Sequence, residues 1–179
     1  MGKESMNVRE IVLIALLAVL ITISSTIKIP SPFAGAEFQM SAPIAVVICA
    51  YFGFKKYFIA GVVSSAVGFM LGTQTILNIV IALTFRLVVG IVLFIAGPGF
   101  IPISLAGLFG SVAARGVITL LIGKGFIAMV IAAIPGLVFT MMVSFPLYKI
   151  VKKTMSRTSF NKENILEINL KEKISNEKN

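Results

Sequence analysis

Histidine and aspartate are absent from this chain, and cysteine occurs once, as Cys49. Without histidine or aspartate, a transition-metal site has few ligands to draw on. A lone cysteine excludes an intramolecular disulfide and a metal site built on cysteines. Acid is almost as scarce, because between Ile11 and Ile150 the one carboxylate is Glu37. Proton-driven carriers commonly use Asp, Glu or His inside membrane helices, so a self-contained proton relay is hard to build here. A nucleotide cradle is missing too. The nearest string, Gly123-Lys124-Gly125, lacks a hydroxyl after the lysine and has Ile118 where the motif needs glycine. Paired acids and nucleophile–base dyads are also missing. No enzyme activity and no cofactor are expected.

What remains is apolar. Hydrophobic residues make up 58% of the 179 and charged residues 13%, whereas soluble domains are nearer half apolar and about a quarter charged. The net charge of +9 would fit a nucleic-acid binder. Its placement argues otherwise, since the cations stand at the ends of apolar runs and in the tail. The expected surroundings are membrane lipid, with no nucleic-acid partner.

A membrane-spanning helix needs roughly 20 apolar residues. Segment 1, Val8 to Ile27, meets this, and Asn7 with Glu10 resembles a capping box at its start. No small-residue cleavage site follows, so it reads as a retained helix. Lys28 to Met40 holds Pro30, Pro32 and Gly35 and reads as a loop. Segment 2, Ser41 to Phe54, is short enough to be re-entrant. After Lys55 and Lys56 come segment 3 (Tyr57 to Gly72), segment 4 (Thr75 to Ala96), segment 5 (Ile101 to Ile122) and segment 6 (Phe126 to Ile150). Pro135 predicts a kink in the last. The polar remainder reads as a tail, either disordered or a short amphipathic helix near Ile165 to Leu170.

The expected fold is therefore an all-α integral membrane protein with six transmembrane helices, multi-pass in the cell membrane. Residues 1–153 form the membrane domain and 154–179 a polar cytoplasmic tail. Six crossings place both termini on one side. Lys3, Arg9, Lys55, Lys56, Lys149, Lys152, Lys153 and Arg157 gather at one set of ends, and only Lys28 and Lys124 at the other. By the positive-inside rule both termini are cytoplasmic.

Lipid tails do not drive helices together, so small residues that admit close backbone approach matter. Stripes of them recur at four-residue spacing: Ala60, Ser64, Gly68 and Gly72; Ala106, Gly110 and Ala114; Ala128, Ala132, Gly136, Thr140 and Ser144. A polar stripe runs through segment 4 as Gln74, Asn78, Ala82, Arg86 and Gly90. Arg86 falls about 16 Å below Thr75, near mid-bilayer, and Arg115 about 10 Å from the outer end of segment 5. An arginine at the centre costs about 2.5 to 3.5 kcal/mol on insertion scales. It must meet the bundle interior, a watery cavity or an anion. One reading lines an outward cavity with Arg115, Asn78 and Gln74, Arg115 gripping a carboxylate or phosphate and Glu37 and Gln39 closing over it. The other has Arg86 bonding carbonyls of neighbouring helices, and Arg115 pairing with Glu37 or snorkelling outward.

In size, segment number, cytoplasmic termini and order, the chain resembles the substrate-binding S component of energy-coupling factor vitamin importers. IALLAVLITISS (Ile14 to Ser25) precedes a Pro-containing outward loop and a short hydrophobic hairpin, and the resemblance covers roughly residues 8–153. It implies a small-molecule substrate, a transmembrane coupling protein and two ATP-binding cassette ATPases as partners. The family's first helix often carries two alanines four apart that touch the coupling protein. Here Ala15 is followed by Val19 and Ala18 by Thr22, which makes Ala15, Ala18 and Thr22 the implied docking residues. By position, the family's substrate site falls on Glu37, Gln39, Gln74, Asn78 and Arg115. GTQTILNI (Gly72 to Ile79) also resembles a segment of small bacterial tryptophan transporters. That leaves, as the alternative, a stand-alone ion-coupled carrier for a molecule such as an aromatic amino acid. Sodium coupling through backbone carbonyls would need no acidic side chain.

Overall fold

The computed structural model describes residues 7–30, 37–123 and 125–157, and of residues 28–30, 37–39, 122 and 157 the backbone alone. This part holds six helices and a two-stranded ribbon. In order they are α1 (Val8–Thr26), β1 (Lys28–Pro30), β2 (Glu37–Gln39), α2 (Ser41–Phe52), α3 (Phe54–Met70), α4 (Ile76–Ala96), α5 (Phe100–Ile122) and α6 (Phe126–Arg157). Four of them, α1, α4, α5 and α6, are long and apolar enough to cross a membrane. The outward faces agree: Met70 and Phe94 are each 85% exposed and Leu120 is 86% exposed. A water-soluble monomer rarely shows so continuous an apolar surface. The chain is a membrane protein.

At 12 residues, α2 is about 18 Å long and does not cross a hydrocarbon core of about 30 Å. It is apolar on all sides, and such a helix belongs inside. Val46, Val47, Ile48 and Cys49 are each at most 4% exposed. The helix touches all five others. Around it, α1 lies beside α3, α3 beside α4, α4 beside α5 and α5 beside α6.

Small residues make these contacts. A Cβ on Gly110 would come within 2.9 Å of both Phe85 and Val89, closing α5 on α4, and one on Gly107 would strike Thr140 of α6. On α3, Ala60 and Ser64 are fully buried. The α1 side of that contact is tied by Thr22, whose hydroxyl bonds the Ala18 carbonyl at 2.8 Å and the Ser64 hydroxyl at 2.9 Å. The α6 stripe is split, with Thr140 and Ser144 buried but Ala128 and Ala132 exposed.

Several details depart from the sequence reading. The Asn7 side chain makes no capping bond; the Glu10 amide reaches the Asn7 carbonyl at 2.8 Å. The Glu10 carboxylate instead pairs with Lys56 at 3.1 Å, tying the start of α1 to the start of α3. The Lys28 to Met40 stretch contains an antiparallel ribbon in register Lys28↔Gln39, Ile29↔Phe38 and Pro30↔Glu37. Pro30 is tolerated because it ends an edge strand, where no ladder donor is required. Lys55 and Lys56 lie inside α3, which meets α2 at the single residue Gly53. Its φ of +84° is a conformation glycine adopts at no steric cost. Helix α6 runs through Pro135 and Pro146 and on to Arg157, past the expected boundary at residue 153. Lys, Met and Arg are good helix formers, so hydropathy ends before the helix does. Lys124 and the stretch Ile165 to Leu170 lie outside the described residues.

Candidate functional site

The turn between α3 and α4 places the first polar groups. The Gly68 carbonyl accepts the amides of Thr73 (2.9 Å) and Gln74 (3.1 Å) and the Thr73 hydroxyl (3.0 Å). Gly72, at φ +68°, lets the chain reverse there. Thr75 then caps α4, its hydroxyl accepting the Asn78 amide at 3.3 Å. The Gln74 side chain lies flat on Gly68, where a Cβ would come within 2.9 Å of it. Its Oε1 is buried without a hydrogen-bond partner.

Deeper along α4, Arg86 is 5% exposed. Its guanidinium rests on Gly61, whose missing Cβ makes the room, and Nη1 donates to the Ser65 hydroxyl at 2.8 Å. Gly61 is seven residues before Gly68, about 10 Å along α3. Tyr57, one turn further down the same face, is fully buried. Its hydroxyl stands beside the Arg86 guanidinium, yet makes no well-formed hydrogen bond. On α5, half-buried Arg115 donates from Nη1 to the Ser111 carbonyl of its own helix at 3.0 Å. Glu10 is the sole carboxylate whose side chain is described, and it pairs with Lys56. Among the described residues, neither arginine has a carboxylate counterion.

These groups line one cavity of about 700 Å³, within the range of small-molecule sites. Every helix contributes: Ser25 and Thr26 from α1, Ser41 and Ala45 from α2, Tyr57 from α3, Asn78 and Arg86 from α4, Ser111 and Arg115 from α5, and Thr140 from α6. Gln74 joins them from the turn. Ser25, Thr26, Ser41, Gln74 and Asn78 come from the helix ends opposite the lysine-bearing ones, and Phe85, Arg86, Ser111, Thr140 and Tyr57 lie deeper.

Of the residues singled out in the sequence, Gln74, Asn78 and Arg115 share this cavity. Glu37 and Gln39 sit on β2, which packs against α6; the contacts expected of their side chains lie outside the description. Arg86 bonds a hydroxyl of the neighbouring helix rather than carbonyls, and it lines the cavity as well. Of the docking residues, Ala15 is on the exposed face of α1. Ala18, 4% exposed, is turned into the chain, and Thr22 is engaged with Ser64. Their small size serves the α1–α3 contact.

The sequence reading missed Tyr57, Gly61 and Ser65. They stand at four-residue spacing beside the Ala60–Ser64–Gly68 stripe. That register was the available signal, and nothing local said what would lie against it.

Among known proteins, the chain is similar to Protein BioX of Lysinibacillus sphaericus. The two are 41% identical over 138 residues, covering 77% of this chain and 83% of the relative. The chain belongs to the BioX family. No family model and no solved structure matches it. Membership rests on that similarity over most of both chains.

Proposed function

We propose that this BioX-family chain is the substrate-capturing membrane subunit, the S component, of an ATP-driven importer of energy-coupling factor type in the cell membrane. The observation that carries the reading is the cavity of about 700 Å³ with Arg86 and Arg115 in its wall and no described carboxylate beside either. A pocket with two cations and, among the described residues, no anion beside them suits a small organic acid. The cargo is a vitamin or a related small carboxylate. Biotin, a vitamin with one carboxylate, is the first such molecule to test.

In this reading the chain crosses the membrane six times, with the ribbon and α2 together making the second crossing. The lysine-bearing ends, where Glu10 meets Lys56 and Lys149 lies over the Phe145 ring, face the cytoplasm with both termini. The cavity then opens outward, where cargo is met. Energy comes from partners: a membrane coupling protein and two ATP-binding cassette ATPases. The exposed face of α1 around Ala15, Leu16 and Val19 is the surface offered to the coupling protein. The chain performs no chemistry on its cargo.

The test is uptake by vesicles that contain this chain without partners. Labelled biotin, or a small carboxylate found bound to the purified protein, is expected to bind and to reach no concentration above that outside. Uphill accumulation driven by a sodium gradient, with no ATPase present, would establish the stand-alone carrier instead.

A further inference from the structure

The cavity has two separate seats for negative charge. At the floor, the Tyr57 hydroxyl and the Arg86 guanidinium stand side by side. Tyr57 is fully buried, its hydroxyl makes no well-formed hydrogen bond among the described residues, and it lines the cavity. A guanidinium carries five N–H donors, and the hydrogen bond to Ser65 uses one of them. The floor therefore offers a neutral donor and a cation to an acceptor that no described residue supplies. Nearer the mouth, Arg115 spends one N–H on the Ser111 carbonyl, and the rest of its fork has no partner among the described residues.

The two seats are not one. Gly110 of α5 packs on Phe85 and Val89, which bracket Arg86 on α4, so Arg86 lies level with Gly110. Arg115 is five residues beyond Gly110, about 7 Å farther toward the mouth. A buried cation without a counterion is costly, and an anion that neutralises it removes that cost. A ligand with one anionic group neutralises one arginine and leaves the other as it was.

We propose that the cargo carries an anionic group at each of two ends, one seated on Tyr57 and Arg86 and the other on Arg115. Its chemical class is the small dicarboxylate. The inference rests on reading the cavity as a capture site and narrows what that site captures. The apolar wall between the seats, Ala45, Ala82 and Phe85 among it, accepts a hydrocarbon spacer.

The experiment measures binding to the full chain in lipid nanodiscs, by titration and by ligand-induced thermal stabilisation. The probes are linear dicarboxylates from glutarate to sebacate, straight-chain monocarboxylates of the same lengths, and biotin. The expected result is one dicarboxylate that binds at least roughly tenfold more tightly than its monocarboxylate counterpart, a difference of about 1.4 kcal/mol. Arg115→Gln is expected to erase that preference. Tyr57→Phe keeps the ring and the packing, and is expected to weaken the preferred dicarboxylate severalfold with thermal stability unchanged. Equal binding of the two series, or biotin held more tightly than every dicarboxylate, would overturn the two-seat proposal and leave the capture reading standing. A folded protein that binds none of these acids would remove both.

Discussion

The two ends of the bundle are built in opposite ways. Toward the lysine-bearing end the interior is filled: Val46, Val89 and Ile103 are fully buried, and Phe100 meets Phe145 edge to face at 4.6 Å. Toward the other end the helices part around about 700 Å³, and serine, threonine, asparagine, glutamine and arginine replace the aliphatic filling. The closed end holds the helices in place, and the hollow end is free to carry polar groups that a filled interior would exclude. Depth in the bundle, rather than any motif, separates the packed interior from the polar cavity in this molecule.

That contrast can be broken by substitution. The largest effect is expected at the hollow end. Arg115→Ala removes a charged donor whose one described bond is to its own helix. Affinity for a carboxylate cargo should fall about 10- to 100-fold, in line with about 1.5 to 3 kcal/mol for a hydrogen bond to a charged group. The melting temperature in detergent should hold. Gly110→Leu is expected to do the reverse. Its side chain must enter space held by Phe85 and Val89, and overpacking of this kind costs about 1 to 3 kcal/mol. Denaturant unfolding should register that loss, while cargo still binds the fraction that remains folded. Ser65→Ala sits where the two ends meet. It strips Arg86 of its described hydrogen bond and should cost about 1 kcal/mol, with a modest loss of affinity in the same titration. Glu10→Gln should do least. It breaks an ion pair of which each side chain is more than a third or about a third exposed (41% and 34%), worth about 0 to 1 kcal/mol, and should leave both unfolding and binding close to unchanged.

The sequence revealed the hollow end better than its floor. Asn78 and Arg86 could be placed together because helical spacing puts them on one face, and Arg115 stood out as a cation in an apolar run; Gln74, counted on the same stripe, reaches the cavity from the turn before α4 instead. Their convergence with α1, α2 and α6 depends on how helices stack, which no local pattern records. Tyr57 was hidden for the same reason. It follows two lysines, so the sequence placed it at the cytoplasmic edge, whereas its ring reaches inward to Arg86. Gly61 reads as one more small residue until Arg86 is seen lying on it. The ribbon was missed because Pro30 and Pro32 argue against a strand, although the end of an edge strand tolerates proline. The extra turns of α6 were missed because the polar residues after Ile150 end a hydropathy run without ending a helix.

The central claim is that the hollow end faces outward and is filled by cargo. It is tested most directly by Asn78→Cys in intact cells, probed with a membrane-impermeant thiol reagent. Cys49 is 4% exposed and should stay silent, while Asn78 lies exposed at the mouth. The account predicts labelling from outside that a bound small carboxylate suppresses. Labelling only in inverted vesicles would contradict it, as would outside labelling that no carboxylate slows.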